Sequence, residues 1–350
     1  QSNLEKYCCY KTNSINSLVD TLPAGSSIIV IGGEVLCARN NALFMHMQNS
    51  WFHNFALKVF RKLTPALFKR YATQAYSAMW EFPYLPLESC FSNNINVIYN
   101  TVGGDLKNLA ANELTDVKKR LARASYISVR DERTLHEVNV ASNKVNFAPD
   151  SAYIMADLAT DEIFTQYVRK SILELLPSDY IVLQAAPSKV GCGIETLAKL
   201  VASLHRKTKK KVVLLPIGYA SGHDDYYLLK KIHKLQGEET VLLHDLNVWE
   251  IMHIIKCADI FFGTSLHGVI TAMSFGVPHF GINPNISKLQ AFLQDWSVAP
   301  YNTCYDVKAI DELPEMVSNE NVDRLKIKTA SNIEQVKNNN LAIINTIMAN

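Results

Sequence analysis

The sequence predicts an α/β protein built from two doubly wound parallel sheets that face each other across a cleft. Three observations carry that prediction. Short apolar runs ending in glycine or an acid alternate with stretches of helical periodicity, the pattern of parallel sheets covered by helices. One charged helical stretch, residues 153–179, interrupts the alternation and ends in Pro177-Ser178-Asp179. The length, 350 residues, is enough for two substantial cores. The expected boundaries are an N-terminal α/β domain over 1–155, a helical linker over 156–179, a C-terminal α/β domain over 180–318 and a final helix over 319–350.

Taken in order, the chain to residue 22 reads as one helix and a turn. Residues 26–33 (SSIIVIGG) form a buried strand ending in Gly32 and Gly33, with Glu34 beyond. Such an edge sets backbone N–H groups and a carboxylate where open α/β sheets bind ligands. Residues 35–80 hold no Asp or Glu, yet carry Arg39, Lys58, Arg61, Lys62, Lys69 and Arg70 among many aromatic side chains. Pro65 divides this stretch into two helices. They read either as an amphipathic pair covering the sheet or, over 51–71, as a surface for anionic headgroups or a diphosphate-bearing acceptor.

Residues 96–103 form the next strand and 106–122 a helix. The strand at 126–131 ends in Arg130-Asp131, with a helix from about Glu132. An arginine there can grip a carboxylate or phosphate in a bidentate fork, or pair with Asp131 or Glu132. Residues 145–150 close this half with Asp150 at the tip, where a structural role is expected.

The second series has strands at 180–186, 211–218, 240–244, 259–264 and 279–282. Its helices fall at 193–206, 224–235, 247–256 and 266–275, followed by one near 286–295, an irregular stretch and a polar C-terminal helix. Its centre is the run 258–278 (ADIFFGTSLHGVITAMSFGVP). A buried strand leads to Thr264 or Ser265 as helix N-cap, and Gly276 and Pro278 stop the helix. The helix start carries hydroxyls, Gly268 and His267. It suits an anionic ligand, or it is a packed turn whose histidine is hydrogen-bonded in the core.

Composition narrows the classes. Apolar residues make up 48%, charged residues 19%, and the formal net charge is +2, without a nucleic-acid binder's basic excess. No apolar run approaches a membrane span, and the first eleven residues are polar rather than a signal peptide. Seven scattered cysteines include no CxxC or zinc spacing, which predicts reduced thiols, no metal site and a cytoplasmic protein. Neither GxGxxG nor a phosphate-binding GxxxxGK occurs, so no dinucleotide or ATP cofactor is expected. The absence of Asp-x-Asp argues against a metal-dependent sugar-nucleotide site.

Four segments in this order, IGGE (31–34), SVRDERTLHEV (128–138), APDSAY (148–153) and GTSLHGVITAMSFGVP (263–278), resemble the polysaccharide pyruvyl transferase family. The resemblance implies two Rossmann-like domains of the GT-B kind. It also implies transfer of a carboxyethylidene group from phosphoenolpyruvate to two hydroxyls of a cell-surface polysaccharide sugar or its precursor, forming a ketal. The partners would be phosphoenolpyruvate and a glycan, lipid-linked or nucleotide-linked acceptor. Peripheral contact at the inner face of the membrane would run through 51–71. Carried over by motif, His267 is the donor-binding residue and candidate acid-base, and Arg130 the anion clamp. Thr264, Ser265, Leu266 and Gly268 form the helix start on the donor side, with Ser265 and Gly268 providing donors; Glu34 reads either as the base toward the acceptor or as a surface acid after a turn, and Gly32, Gly33 and Arg39 lie on the acceptor side.

Two departures stand out. Some members carry an arginine two positions before the histidine; here it is Ser265, which leaves the donor's charge to Arg130, the helix start, and Lys189 or His223. The family's first strand also precedes the GG strand by more residues than this chain offers, implying a missing beginning or an unusually short first unit. A GT-B glycosyltransferase using a nucleotide sugar is the competing enzyme, although no acid occurs between Leu266 and Gln294 to hold a ribose. A catalytically dead binding protein of the same fold is the third reading.

Overall fold

The structure, a computed structural model, describes residues 13–46, 51–139, 145–218 and 224–349. The chain divides into two compact units. One takes the described chain up to Ser151 together with residues from Gln335 onward, and the other takes Ala152–Glu334.

The first unit contains β1 (Ser27–Ile31), α1 (Asn40–His46), α2 (Trp51–Leu63), α3 (Pro65–Ala75), β2 (Asn96–Val102), α4 (Ala111–Arg123), β3 (Tyr126–Val129), α5 (Glu132–Asn139) and β4 (Val145–Phe147). Its four-stranded sheet is parallel in the order β1-β2-β3-β4. Spatial order matches chain order, and the core lies where the sheet packs on α4. There Val97 and Tyr99 of β2 pack with Val117 and Leu121 of α4 and Ile127 and Val129 of β3. The pairing of β2 with β3 shifts between Tyr99 and Val102, where Thr101 adopts φ 49°. Ser128 Oγ accepts the Thr101 N–H at 2.8 Å, and Thr101 Oγ1 accepts the Ser151 N–H at 3.0 Å, so the irregular tip is fully tied down.

The second unit opens with three short helices, α6 (Met155–Leu158), α7 (Asp161–Tyr167) and α8 (Lys170–Leu173). Then follow β5 (Tyr180–Gln184), α9 (Ile194–Thr208), β6 (Lys211–Leu214), α10 (Asp225–Gln236), β7 (Thr240–Leu242), α11 (Val248–Lys256), β8 (Ile260–Gly263), α12 (Leu266–Ser274), β9 (His279–Ile282), α13 (Ser287–Trp296) and β10 (Cys304–Tyr305). The long α14 (Asn319–Ala349) ends the chain, its residues to Glu334 in this unit and those from Gln335 in the first. The sheet is parallel in the order β10-β9-β8-β5-β6-β7. The chain runs outward from β5 through β7, returns to lay β8 on the other side of β5, and continues outward to β10. That reversal creates a topological switch point between β5 and β8. Strands β5, β8 and β9 are buried along their whole length, which is why they read as continuous apolar runs.

The predicted α/β class with parallel sheets holds, and most boundaries fall within a few residues. The expected helix over 106–122 begins instead as a single turn at Leu106–Asn108 capped by Asp105, with α4 starting afresh at Ala111. The edge strand β10 lies in the stretch read as irregular; at two residues it is too short for an alternation to register. Of the expected N-terminal helix, a 3-10 turn at Ile15–Ser17 is seen, and the chain before residue 13 lies outside the described residues.

Candidate functional site

The second unit's site is built at its switch point. Ser265, not Thr264, is the N-cap of α12, and its Oγ accepts the Gly268 N–H at 3.3 Å. Thr264 is buried and accepts the Ala186 N–H on Oγ1 at 3.0 Å, joining the tips of β8 and β5. Gly268 is needed for close approach: a Cβ there would lie 2.7 Å from Phe261 and 2.9 Å from Ile217. The Gly268 N–H thus serves the cap, and the position serves packing. His267 is exposed in the first turn of α12, and its carbonyl accepts the Thr271 hydroxyl at 2.8 Å. Leu266 is buried and anchors the turn.

Gln184, which the sequence reading passed over, organises this edge. It ends β5 with its side chain 2% exposed residue-wide, and its Oε1 accepts the N–H groups of Thr264 at 2.9 Å and Ser265 at 2.8 Å. Its Nε2 donates to Asp225 Oδ2 at 2.8 Å. That same oxygen accepts the Ile217 and Gly218 N–H groups at 3.1 and 2.9 Å. One amide side chain thus fixes the ends of β5 and β8 to the loop after β6. Burial pushes the Asp225 carboxyl up, and the Gly218 amide, Gln184, the Ile217 amide and the Lys189 ammonium pull against it. Lys189 sits half-buried in the turn after β5. The turn is held by Asn283 at the end of β9, whose Nδ2 donates to the Lys189 carbonyl at 2.7 Å. The only sequence signal for Gln184 was a polar residue closing the apolar run YIVLQ. His223 lies outside the described residues.

In the first unit the strand tips gather charges. Arg130 is 1% exposed; its Nη1 donates to Asp150 Oδ2 at 2.7 Å and its Nη2 to Glu34 Oε1 at 3.2 Å, with Asp131 4.0 Å from Nε. Arg133 donates to the same Glu34 oxygen at 3.0 Å and to Asp131 at 3.4 Å. Asp131 also caps α5, accepting the Thr134 N–H at 2.8 Å. Gly103 leaves room for the guanidinium, since a Cβ there would come 3.0 Å from Arg130 Nε.

The Arg130 guanidinium is thus held inside the unit as part of a buried ion cluster, its charge matched by carboxylates. Asp150 is its main partner, in keeping with the structural role expected for it. Burial opposes the charge of Arg133, but Glu34 and Asp131 outweigh it and hold its pKa above the usual value. Gly32 and Gly33 turn the chain at φ 55° and 76° just before Glu34, and the Gly33 carbonyl accepts the Gly103 N–H at 2.7 Å. Arg39 does not join this cluster; it pairs with Glu113 at the start of α4.

Comparisons with known proteins follow the same lines. The family model for polysaccharide pyruvyl transferase matches residues 2–285. None of the curated proteins matches the chain significantly. Among solved structures, UDP-GlcNAc 2-epimerase from Neisseria meningitidis bound to UDP-GlcNAc aligns with a TM-score of 0.53 at 13% identity, covering 93% of this chain and 100% of that one. Anabaena Alr3699/HepE in complex with UDP and glucose aligns at 0.47 and 11% identity, over 81% of this chain and 75% of that one. The likeness to the Neisseria epimerase is one of fold, the Rossmann-like, GT-B-type α/β architecture. With a family match that takes in all four motifs and most of its length, the chain belongs to the polysaccharide pyruvyl transferase family, a family of transferases.

Proposed function

We propose that this chain moves a pyruvyl group from phosphoenolpyruvate to two hydroxyls of a glycan or carrier-linked sugar, releasing phosphate. The observation that carries the reading is the switch-point edge of the second unit. There Gln184 fixes the β8–α12 turn, His267 is presented to solvent, and Lys189 brings a cation to the neighbouring turn. Ligands of open α/β sheets bind at this position. In this reading the second unit takes the donor. Phosphoenolpyruvate carries a carboxylate and a phosphate, met by Lys189 and by the first-turn N–H groups of Leu266 and His267, which a helix leaves without intrahelical acceptors.

His267 protonates the methylene carbon, histidine being the side chain that exchanges protons near neutral pH. The oxygen of one sugar hydroxyl bonds to the resulting cationic carbon and gives up its proton to His267. The carbon–oxygen bond to phosphate then breaks, with the electron pair leaving on phosphate. The second hydroxyl closes the ketal, its proton departing with the phosphate.

The test incubates the protein with phosphoenolpyruvate or UDP-sugars plus candidate glycan acceptors. Phosphate release tied to acceptor is expected, abolished by His267→Ala with an unchanged circular dichroism spectrum, and Lys189→Ala should raise KM for phosphoenolpyruvate. UDP release instead would establish a glycosyltransferase, and release of neither product a binding protein.

A further inference from the structure

Helices α2 and α3 of the first unit carry two apolar faces each, and one of them is in solvent. The inner faces make a small core of their own, in which Met45, Leu57 and Phe68 are buried against Phe44 and Phe60, separate from the core under the sheet. On the outer side of α2, Phe52, Phe55, Val59 and Leu63 recur every three or four residues and are 73, 57, 41 and 73% exposed. That spacing aligns them in a single stripe. On α3, Leu67 is 56% exposed as well, while the ring of Tyr71 packs on Phe44 and Phe60 of the inner core. Scattered exposed apolar residues need no explanation, but a contiguous stripe of this kind marks an interaction surface.

The charges around the stripe say what kind. Lys58, Lys62 and Arg70 lie beside it, with Arg61 elsewhere on α2; all are exposed, and among the described residues none of the four pairs with a carboxylate. Residues 35–80 contain no acid at all. Glu81 is engaged by Lys69, and Glu113 by Arg39 and Lys69. A helix of 13 residues is about 20 Å long and cannot cross a bilayer of about 30 Å. Among the described residues no helix is long and apolar enough to do so. Aromatic side chains along one line with lysine and arginine beside them are the composition of a helix lying flat in an anionic headgroup layer.

We propose that α2 and α3 form a peripheral docking surface for an anionic lipid bilayer. The stripe from Phe52 to Leu67 enters the acyl boundary, and Lys58, Lys62 and Arg70 meet lipid phosphates. The inference rests on this face alone and does not depend on which donor the enzyme uses.

The experiment is co-sedimentation of the full chain with vesicles of phosphatidylcholine alone or mixed with phosphatidylglycerol, at low and high salt. Binding is expected to the mixed vesicles only and to weaken with salt. The Lys58→Glu/Arg61→Glu/Lys62→Glu variant should lose roughly a hundredfold or more in partitioning. Phe52→Ser/Phe55→Ser/Leu63→Ser should lose binding as well, each variant keeping the wild-type circular dichroism spectrum and urea midpoint. Equal binding to both vesicle types, no binding to either, or unchanged binding of the charge variant would overturn the proposal. So would sedimentation velocity showing a lipid-free dimer that the Phe52/Phe55/Leu63 variant converts to monomer, since a second copy would then cover the face.

Discussion

Arg130 sits in the most family-like part of the first unit, at a strand tip where an arginine is well placed to hold an anion. Its surroundings give it a structural part. With Asp150 at 2.7 Å, Glu34 at 3.2 Å and hardly any exposed surface, its positive charge is matched inside the unit. Breaking a buried pair from one side leaves an uncompensated charge and costs about 3–5 kcal/mol. Arg130→Met should therefore lower the unfolding free energy by that much, read as a lower urea midpoint, while the protein that remains folded keeps its KM for phosphoenolpyruvate. Removing both charges in Arg130→Met/Asp150→Leu should recover part of the loss. A variant that folds like wild type but binds the donor poorly would restore the anion-clamp role. Gln184 teaches the converse: an uncharged residue that no motif marks holds two strand tips together, because what matters is where its two amide atoms reach.

At the scale of the element, the buried strands of the second unit combine legibility in sequence with a hidden titration. Strand β9 is wholly buried, and it begins with a histidine that is 0% exposed. Nδ1 of His279 lies 2.9 Å from the Val277 carbonyl and Nε2 lies 3.0 Å from Ser297 Oγ. Burial pushes its pKa down from 6.5 to about 4, with the Val277 carbonyl working against that shift. The folded state thus holds His279 neutral where the unfolded chain would bind a proton. Its contribution to stability is present above pH 6.5 and is lost as pH falls through about 4. The difference is worth about 3 kcal/mol. Urea unfolding followed from pH 7 to pH 4 should show this slope, and His279→Gln should flatten it even if the variant is less stable throughout. A wild-type profile as flat as the variant's would refute the assignment. The strand itself was readable because burial on both faces leaves a continuous apolar run. The β8–α12 unit was readable because its cap, glycine and proline all point to the same boundaries. The two-residue β10 and the break before α4 were not, since neither is long enough to show a period. Nor was the Arg130 cluster, since pairing between residues 34, 130 and 150 is decided by strand order, which periodicity does not reveal.

At the scale of the whole molecule, α14 is shared by both units. A polar C-terminal helix could be read from the sequence, but what it packs on could not, because two of its buried positions are asparagines. Leu325, Thr329, Asn332, Val336, Asn339 and Ile343 recur at intervals of four and three and are all buried, forming one continuous face. Within the second unit Asn332 Nδ2 donates to the Tyr153 hydroxyl at 3.1 Å and the Trp296 carbonyl at 2.7 Å. Within the first, Asn339 Nδ2 donates to Asn100 Oδ1 at 2.8 Å, and its Oδ1 accepts the Tyr126 hydroxyl at 2.9 Å. Each asparagine satisfies buried polar groups of a different unit, and truncating either strands those groups at about 1–3 kcal/mol. The two substitutions should accordingly weaken different parts of the chain. Asn339→Ala should lower amide hydrogen-exchange protection in β2 and β3, and Asn332→Ala protection around Tyr153 and α13, each with little effect on the other set. Equal loss in both sets from either variant would mean that the two units open as one cooperative body and that the division of α14 between them has no energetic counterpart.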